Sequence, residues 1–232
     1  MSEQTIRQHT DPHYEAELKE LQTRILEMGG SVEKQIANAV AALVTRDDEL
    51  ARTTIERDHG VNRMDVEIDD LCIRLLALHQ PTAKDLRLIT TGLKITTDLE
   101  RIGDMAVNLS ERALELNQEP QLKPFIDIPR MADVAQAMLR QSLDAFVRED
   151  VELALKVCRD DDIIDDINHQ LFRELLSYMM EDPQTVSRAI RLLFVAKYLE
   201  RIADHATNIS EMVVFMVKGT SIRHLDRVPR SV

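Results

Sequence analysis

Two sets of oxygen-bearing side chains recur along the chain at steps of four, four and three residues. The first set is Glu100, Asp104, Asn108 and Glu111, and the second is Glu200, Asp204, Asn208 and Glu211. On an α-helix these steps place each set on one stripe of the surface. Carboxylate and amide oxygens suit magnesium, manganese, calcium or iron, so each stripe is a candidate metal site. The apolar positions Leu99, Ile102 and Ala106 lie nearly opposite, so we expect the acidic stripe to lie away from the main core seam.

The sequence around these stripes is an internal duplication. Residues 99–111 read LERIGDMAVNLSE and residues 199–211 read LERIADHATNISE, and the two are identical at nine of thirteen positions. A solvated helix face explains a single acidic stripe, but such a face needs acidity only on average. Here the acidic residues and Asn recur in the same order, while neighbours such as Met105 and His205 differ. The duplication therefore favours metal binding. His205, next to Asp204, is predicted to be an ordinary surface histidine, with a role as an extra metal ligand as the alternative.

A second pair of acidic positions precedes each stripe. Asp161 and Asp165 are four residues apart and close to apolar positions, and the equivalent earlier residues are Asp58 and Asn62. Carboxylates near an apolar seam are costly unless they are paired or bind a cation. The better predicted site consists of Asp161, Asp165, Glu200 and Asp204, with Asn208 as a further ligand. The poorer one consists of Asp58, Glu100, Asp104 and Asn108, because Asn62 removes one negative charge.

The elements that must position these residues are long helices. Apolar residues recur at alternating steps of three and four in six segments, three in each half of the chain, and prolines mark the joints between them. We predict an all-α fold of two tandem antiparallel three-helix bundles, covering residues 11–118 and 127–220. Residues 119–126 form the linker and residues 221–232 a C-terminal tail. One continuous six-helix bundle is the alternative.

Start and stop signals agree with these helices. Asp11 and Asp182 each precede a proline, which predicts a capping residue followed by the first helical position. Asp47 and Asp150 are expected to cap the second and fifth helices. Gly219 is expected to end the sixth helix, which we predict to begin at Pro183.

The composition limits the classes of partner. The formal charge is −12, from 41 acidic and 29 basic residues, so the average surface repels nucleic acid. The apolar runs are far shorter than the roughly 18 to 20 residues that cross a bilayer, and the start resembles no signal peptide. With only two cysteines, Cys72 and Cys158, the chain has no disulfide framework, which fits the reducing cytoplasm.

The common enzyme signatures are missing. The sequence contains no phosphate-binding glycine motif, no C-x-x-C and no H-E-x-x-H, and it nominates no nucleophile. We therefore expect neither catalysis nor a small-molecule substrate. Glu56 and His59 match the E-x-x-H pattern of di-iron bundles, but such a core needs this pattern to point inward from two helices. A di-metal helical-bundle enzyme and a purely structural helical scaffold remain the alternatives.

Several segments resemble the PhoU family of bacterial phosphate-signalling proteins, over nearly the whole chain. The matching segments are residues 28–30 (MGG), 80–83 (QPTA), 85–87 (DLR) and the two Leu-Glu-Arg-Ile-x-Asp copies at 99–104 and 199–204. The resemblance implies two three-helix bundles related by a pseudo-two-fold axis. It also implies metal clusters held by E(D)xxxD motifs, which map here onto Glu100 with Asp104, Glu200 with Asp204, and Asp161 with Asp165.

The same resemblance implies a function. Proteins of this family repress phosphate-starvation genes when phosphate is plentiful, and they connect a phosphate ABC transporter to a membrane sensor histidine kinase. We therefore expect a metal-binding regulatory adaptor that binds magnesium, manganese, iron or another divalent or transition metal ion. It is expected to be a homodimer in the cytoplasm, attached to the inner membrane through its partners.

Overall fold

The computed structural model describes residues 12–222, and all regular structure within that range is helical. The helices are α1 (Pro12–Thr45), α2 (Asp48–His79), α3 (Ala83–Asn117), α4 (Asp127–Arg148), α5 (Val151–Glu181) and α6 (Val186–Lys218). The predicted all-α class and the six helices are confirmed. None of these helices is both long and apolar enough to cross a membrane.

Aspartate side chains begin α2 and α5, as the sequence indicates. The Asp47 carboxylate accepts a hydrogen bond of 2.9 Å from the Leu50 amide, and that of Asp150 accepts one of 3.0 Å from the Leu153 amide. Each bond supplies an acceptor to an amide that has no partner within its own helix. The predicted cap Asp11 lies outside the described residues.

The start of α6 differs from the prediction. Asp182 accepts a hydrogen bond of 2.9 Å from the Gln184 amide, but the residues that follow, Pro183–Thr185, form a single 3-10 turn. The α-helix therefore begins at Val186 rather than at the proline. The predicted end is confirmed, because Gly219 adopts φ 72°, a left-handed conformation that glycine reaches without strain.

The six helices form two three-helix units that share one apolar core. Helices α1 to α3 pack together, as do α4 to α6, and the units meet where α3 packs on α6 and α1 on α4. Buried apolar side chains run without interruption from one unit to the other. The duplicated three-helix architecture is confirmed, and the core of each unit continues through the interface between them.

One glycine allows the close approach of α1 and α4. A Cβ atom placed on Gly29 would lie 2.3 Å from Cδ1 of Leu143, which is far inside van der Waals contact. Because Leu143 is itself buried, it has little room to move aside. Any larger residue at position 29 would therefore require the Leu143 side chain or the helices to shift.

Leu99 and Leu199 are core residues, and both side chains are 0% exposed. Leu199→Asp should unfold the protein or lower its free energy of unfolding by about 4 kcal/mol or more, since the new carboxylate has no buried partner. Urea denaturation followed by circular dichroism measures the change. The control is Ile73→Asp, at a side chain that is 60% exposed. A Leu199→Asp variant as stable as this control would contradict the core assignment.

Candidate metal centre

The seam between α5 and α6 brings together four of the predicted carboxylates. Because the two helices are antiparallel neighbours, Asp161 and Asp165 of α5 face the part of α6 that carries Glu200 and Asp204. Asp161 interacts electrostatically with the other three, and Asp165 interacts with Glu200. The structure therefore assembles the cluster that was predicted to be the better metal site. We call these four residues the second acidic cluster.

Burial and mutual repulsion make this cluster unfavourable when all of its members are ionised. Burial, followed by repulsion from Asp204 and Asp165, raises the pKa of Asp161 to about 6. The pKa values of Asp165 and Asp204 are also raised, first by burial and then by repulsion from Glu200. Asp204 as a whole residue is exposed, but protein atoms around its carboxyl group still keep part of the water away from it. A bound cation would relieve this repulsion.

One lysine already lies beside the cluster. Nζ of Lys197 is 2.5 Å from Oε2 of Glu200, three residues further along the same helix. Asp161 has no comparable partner, because its Oδ1 is buried without any hydrogen bond. Carboxylate oxygens of this kind are the donors that hard cations prefer. The donor set therefore fits a magnesium, manganese or iron ion.

The carboxylates are not arranged as a finished coordination site. Between residues 12 and 222, no group of three or more His, Cys, Asp or Glu side chains is positioned to hold an ion. A cation would have to draw the side chains of the second acidic cluster together by changes of rotamer. Such changes are available because Asp161 and Asp165 lie one helical turn apart on a single face.

The seam between α2 and α3 holds the corresponding first acidic cluster, formed by Asp58, Glu100 and Asp104. Burial raises the pKa of Glu100, and repulsion from Asp104, Asp65 and Asp58 adds to the effect. Sequence reasoning missed Asp65. Asp58, Asn62 and Asp65 advance by four and three residues, the spacing that ends each stripe, and this signal would have found it.

Asp58 differs from its counterpart because neutral donors surround it. Nδ2 of Asn62 donates a hydrogen bond of 2.9 Å to Oδ2 of Asp58. Oδ1 of Asp58 and Oε1 of Gln35 both lie within 3.4 Å of the position that a Cβ would take on Gly103. Both oxygens are buried without a hydrogen-bond partner, and turning the Gln35 amide over, since its two ends are interchangeable, would let its nitrogen donate to Asp58. The Asn62 and Gln35 amides both lower the pKa of Asp58, against the larger effect of burial.

The second half lacks both donors. Arg46 and Glu149 occupy equivalent positive-φ positions at the ends of α1 and α4, 103 residues apart. The same offset pairs Asn62 with Asp165 and Gln35 with Met138. In the second half the Asn62 donor is thus replaced by the carboxylate of Asp165, and the Gln35 amide is replaced by the apolar side chain of Met138. The charge of Asp161 is therefore left without compensation.

The remaining candidates are placed as follows. Asn108 and Asn208 are half-buried, one helical turn beyond Asp104 and Asp204. His205 is not the ordinary surface residue that was predicted. It is half-buried, and its Nδ1 lies 2.7 Å from Oδ1 of Asp98 in the other half.

Glu56 and His59 do not form a di-iron motif. Both residues are exposed on the surface of α2, whereas the E-x-x-H pattern of a di-iron bundle must point toward the core. The α6 stripe also departs from expectation, because Glu200 and Asn208 are half-buried at the border of the core. Helix α5 covers more of the surface of α6 than the apolar stripe of α6 alone indicates. The acidic residues of α6 therefore face α5 instead of open solvent.

The fold and the two seams define a duplicated helical-bundle protein with an acidic cluster in each half. The family model of the PhoU domain matches it twice, at residues 25–113 and 128–213. The chain belongs to the PhoU family.

Relatives and solved structures support this membership. The phosphate-specific transport system accessory protein PhoU homolog of Pseudomonas putida is 42% identical over 97% of this chain and 88% of its own length. The crystal structure of PhoU from Pseudomonas aeruginosa matches with a TM-score of 0.86 at 42% identity, covering 89% of this chain and all of that one. The phosphate transport system regulatory protein PhoU of Streptococcus pneumoniae matches with a TM-score of 0.84 at 31% identity, covering 90% and 99%.

The raised pKa of Asp161 predicts a pH-dependent stability. The folded protein holds this proton more tightly than the unfolded chain, so the stabilisation is complete only below the ordinary pKa of 3.8 and is lost as the pH rises through about 6. In metal-free protein, Asp161→Asn should raise the free energy of unfolding near pH 7.5 by about 1 to 2 kcal/mol, a figure reduced for solvent screening. Urea denaturation in the presence of a chelator measures the change.

Asp58→Asn is the matched control for this experiment. Its gain near pH 7.5 should be smaller, because Asn62 already donates to the Asp58 carboxylate. For Asp161→Asn, the gain should disappear as the pH falls below the ordinary pKa of 3.8, because Asp161 then becomes protonated in both the folded and the unfolded state. Equal gains for the two variants, or a gain that does not depend on pH, would contradict the assigned electrostatics.

Proposed function

We propose that this protein is a metal-binding regulatory adaptor of bacterial phosphate homeostasis. It represses phosphate-starvation genes when phosphate is plentiful, and it links a phosphate ABC transporter to a sensor histidine kinase. The support is the family membership, together with relatives that are named accessory or regulatory proteins of phosphate transport. The observation that carries the metal-binding part is the uncompensated Asp161 carboxylate within the second acidic cluster.

The cation in this proposal neutralises the repulsion between helices. Asp161, Asp165, Glu200 and Asp204 hold it in the second half, with Asn208 as a further oxygen ligand. Asp58, Glu100 and Asp104, with Asn108, form the weaker site of the first half. Magnesium, manganese and iron all suit these oxygen donors. No step of the proposed mechanism requires catalysis.

Helix α6 connects the second acidic cluster to the other half of the molecule. Asp204 is followed directly by His205, and His205 bonds to Asp98 of α3. A cation held by the Asp204 carboxylate would lie next to the residue that makes this contact between the halves. In this proposal the occupancy of the metal site therefore biases how the two units pack, and the altered surface is what partner proteins detect.

The partners in this proposal are proteins. The net charge of −12 opposes binding to nucleic acid, so gene repression runs through the transporter and the kinase rather than through an operator. The adaptor acts as a homodimer in the cytoplasm and reaches the inner membrane through these partners.

Metal content should depend on the second acidic cluster more than on the first. Asp204→Asn should lose most of the bound metal, because it removes one of four carboxylates from the cluster that lacks neutral donors. Asp104→Asn is the matched control and should change the metal content less. The measurement is metal per chain by mass spectrometry, after dialysis against manganese, magnesium and iron in turn. Equal, background-level metal in the wild type and both variants would show that the clusters are only solvated helix faces.

The adaptor role can be tested in cells that lack the protein. Their phosphate-starvation reporter should stay active in high phosphate, and the wild-type chain should restore repression. The double variant Asp161→Asn and Asp204→Asn should restore it poorly while remaining folded. Tagged wild-type protein should co-purify the transporter and the kinase. Normal repression without the protein, or tight sequence-specific DNA binding at physiological salt, would contradict the proposal.

A further inference from the structure

An apolar groove lies between α5 and α6, beyond the second acidic cluster. Phe172 and Phe194 line it and are 50% and 47% exposed, and Ile190 is also exposed. The groove has a volume of about 310 Å³. Two of the five phenylalanines of the chain lie here. Exposing their apolar surface to water is unfavourable, and an exposed apolar patch of this kind commonly marks a binding site.

The first half of the chain shows that the fold does not require this groove. The offset of 103 residues between α2 and α5 pairs Phe172 with Asp69, and the offset of 100 residues between α3 and α6 pairs Phe194 with Lys94. The offset of 100 residues also pairs Ile190 with Thr90. Helices α2 and α3 therefore form the same kind of seam with polar residues at these three positions. The apolar side chains at these three positions are therefore specific to the second half and are not needed for packing two antiparallel helices in this fold.

The groove and the second acidic cluster are continuous along one seam. Asn168 and Lys197 line the near end of the groove. One turn further along are Asp165 of α5 and Glu200 of α6, and Glu200 pairs with Lys197. A ligand lying along the seam thus meets apolar side chains first and then negative charge.

The far end of the seam is also acidic. Leu176 and Met180 continue the exposed apolar row of α5 beyond Phe172, and exposed Glu181 and Asp182 follow them. A second copy of this chain, related by a two-fold axis across the groove, would therefore bring acidic ends against acidic ends. A partner with basic residues has no such repulsion.

We propose that this groove binds an amphipathic helix of a partner protein, with an apolar ridge and with lysine or arginine at the end that faces the second acidic cluster. A ridge with i, i+3, i+4 and i+7 spacing fits a groove between two antiparallel helices. Phe172 and Phe194 provide the large aromatic contacts that commonly dominate such interfaces. The inference rests on the proposed adaptor role and names the surface that carries it.

The test uses a fluorescent synthetic helix of about 18 residues, with a leucine ridge and with lysines at one end. It is made in both polarities, and matched peptides carry glutamate instead of lysine. Fluorescence anisotropy in the presence of a chelator gives the dissociation constants. At least one lysine peptide should bind the wild type about tenfold more tightly than its glutamate counterpart.

Two double variants locate the binding surface. Phe172→Ser with Phe194→Ser should weaken binding of the lysine peptide about tenfold or more. Val66→Ser with Ile73→Ser is the control, since these first-half side chains are 58% and 60% exposed, and its binding should stay within about twofold of the wild type. Thermal melting by circular dichroism confirms that both variants are folded.

Several results would overturn the inference. They are failure of every lysine peptide to bind, equal binding of the glutamate peptides, and equal loss in both double variants. Light scattering adds one more: a groove variant with half the mass of the wild type would show that the groove is an interface between two copies of the chain. Peptide binding and metal content are separate measurements, so the inference and the proposed metal site can fail independently.

Discussion

The packing of α3 against α6 is the contact on which the rest of the molecule depends. Leu99 and Leu199 are completely buried on these two helices, and the apolar core runs between the halves through their interface. Because each helix also carries an acidic stripe, one element serves both the core and the candidate metal site. A change in how α3 and α6 pack therefore also changes the positions of both acidic clusters. The contact between His205 and Asp98 is a polar interaction across the same interface.

The two halves have the same arrangement of three helices, but the side chains around the buried carboxylates differ between them. In the first half, Asn62 donates a hydrogen bond to Asp58 and the Gln35 amide lies beside the same carboxylate, so part of the cost of burying it is offset. In the second half, a carboxylate and a methionine stand at the equivalent positions, so no neutral side-chain donor lies beside Asp161. Such a cluster lowers the stability of the empty protein, and a bound cation would recover it. The same half carries the apolar groove, so both unusual features of the molecule lie along one seam.

The sequence alone determined the helical class, the duplication and the paired carboxylates. Alternating steps of three and four apolar residues specify amphipathic helices, and the repeat at residues 99–111 and 199–211 identifies the duplication, because both signals are local in sequence. The capping roles of Asp47 and Asp150 followed from the same kind of local rule. Asp65 was missed although it follows Asn62 by three residues, because the α2 pattern was taken to end with the pair Asp58 and Asn62.

Tertiary structure decided what these residues meet. The partner of His205 is Asp98, 107 residues away, and no local pattern specifies a contact between two packed helices. Gln35 of α1 lies beside Asp58 of α2 only because the two helices pack together, and the exposure of Phe172 and Phe194 depends on how closely α5 and α6 approach. A helical period gives the direction of a side chain around its own axis, but the neighbour it faces depends on how the helices pack together. For that reason the sequence identified the carboxylates, while the fold determined which of them are left without a partner.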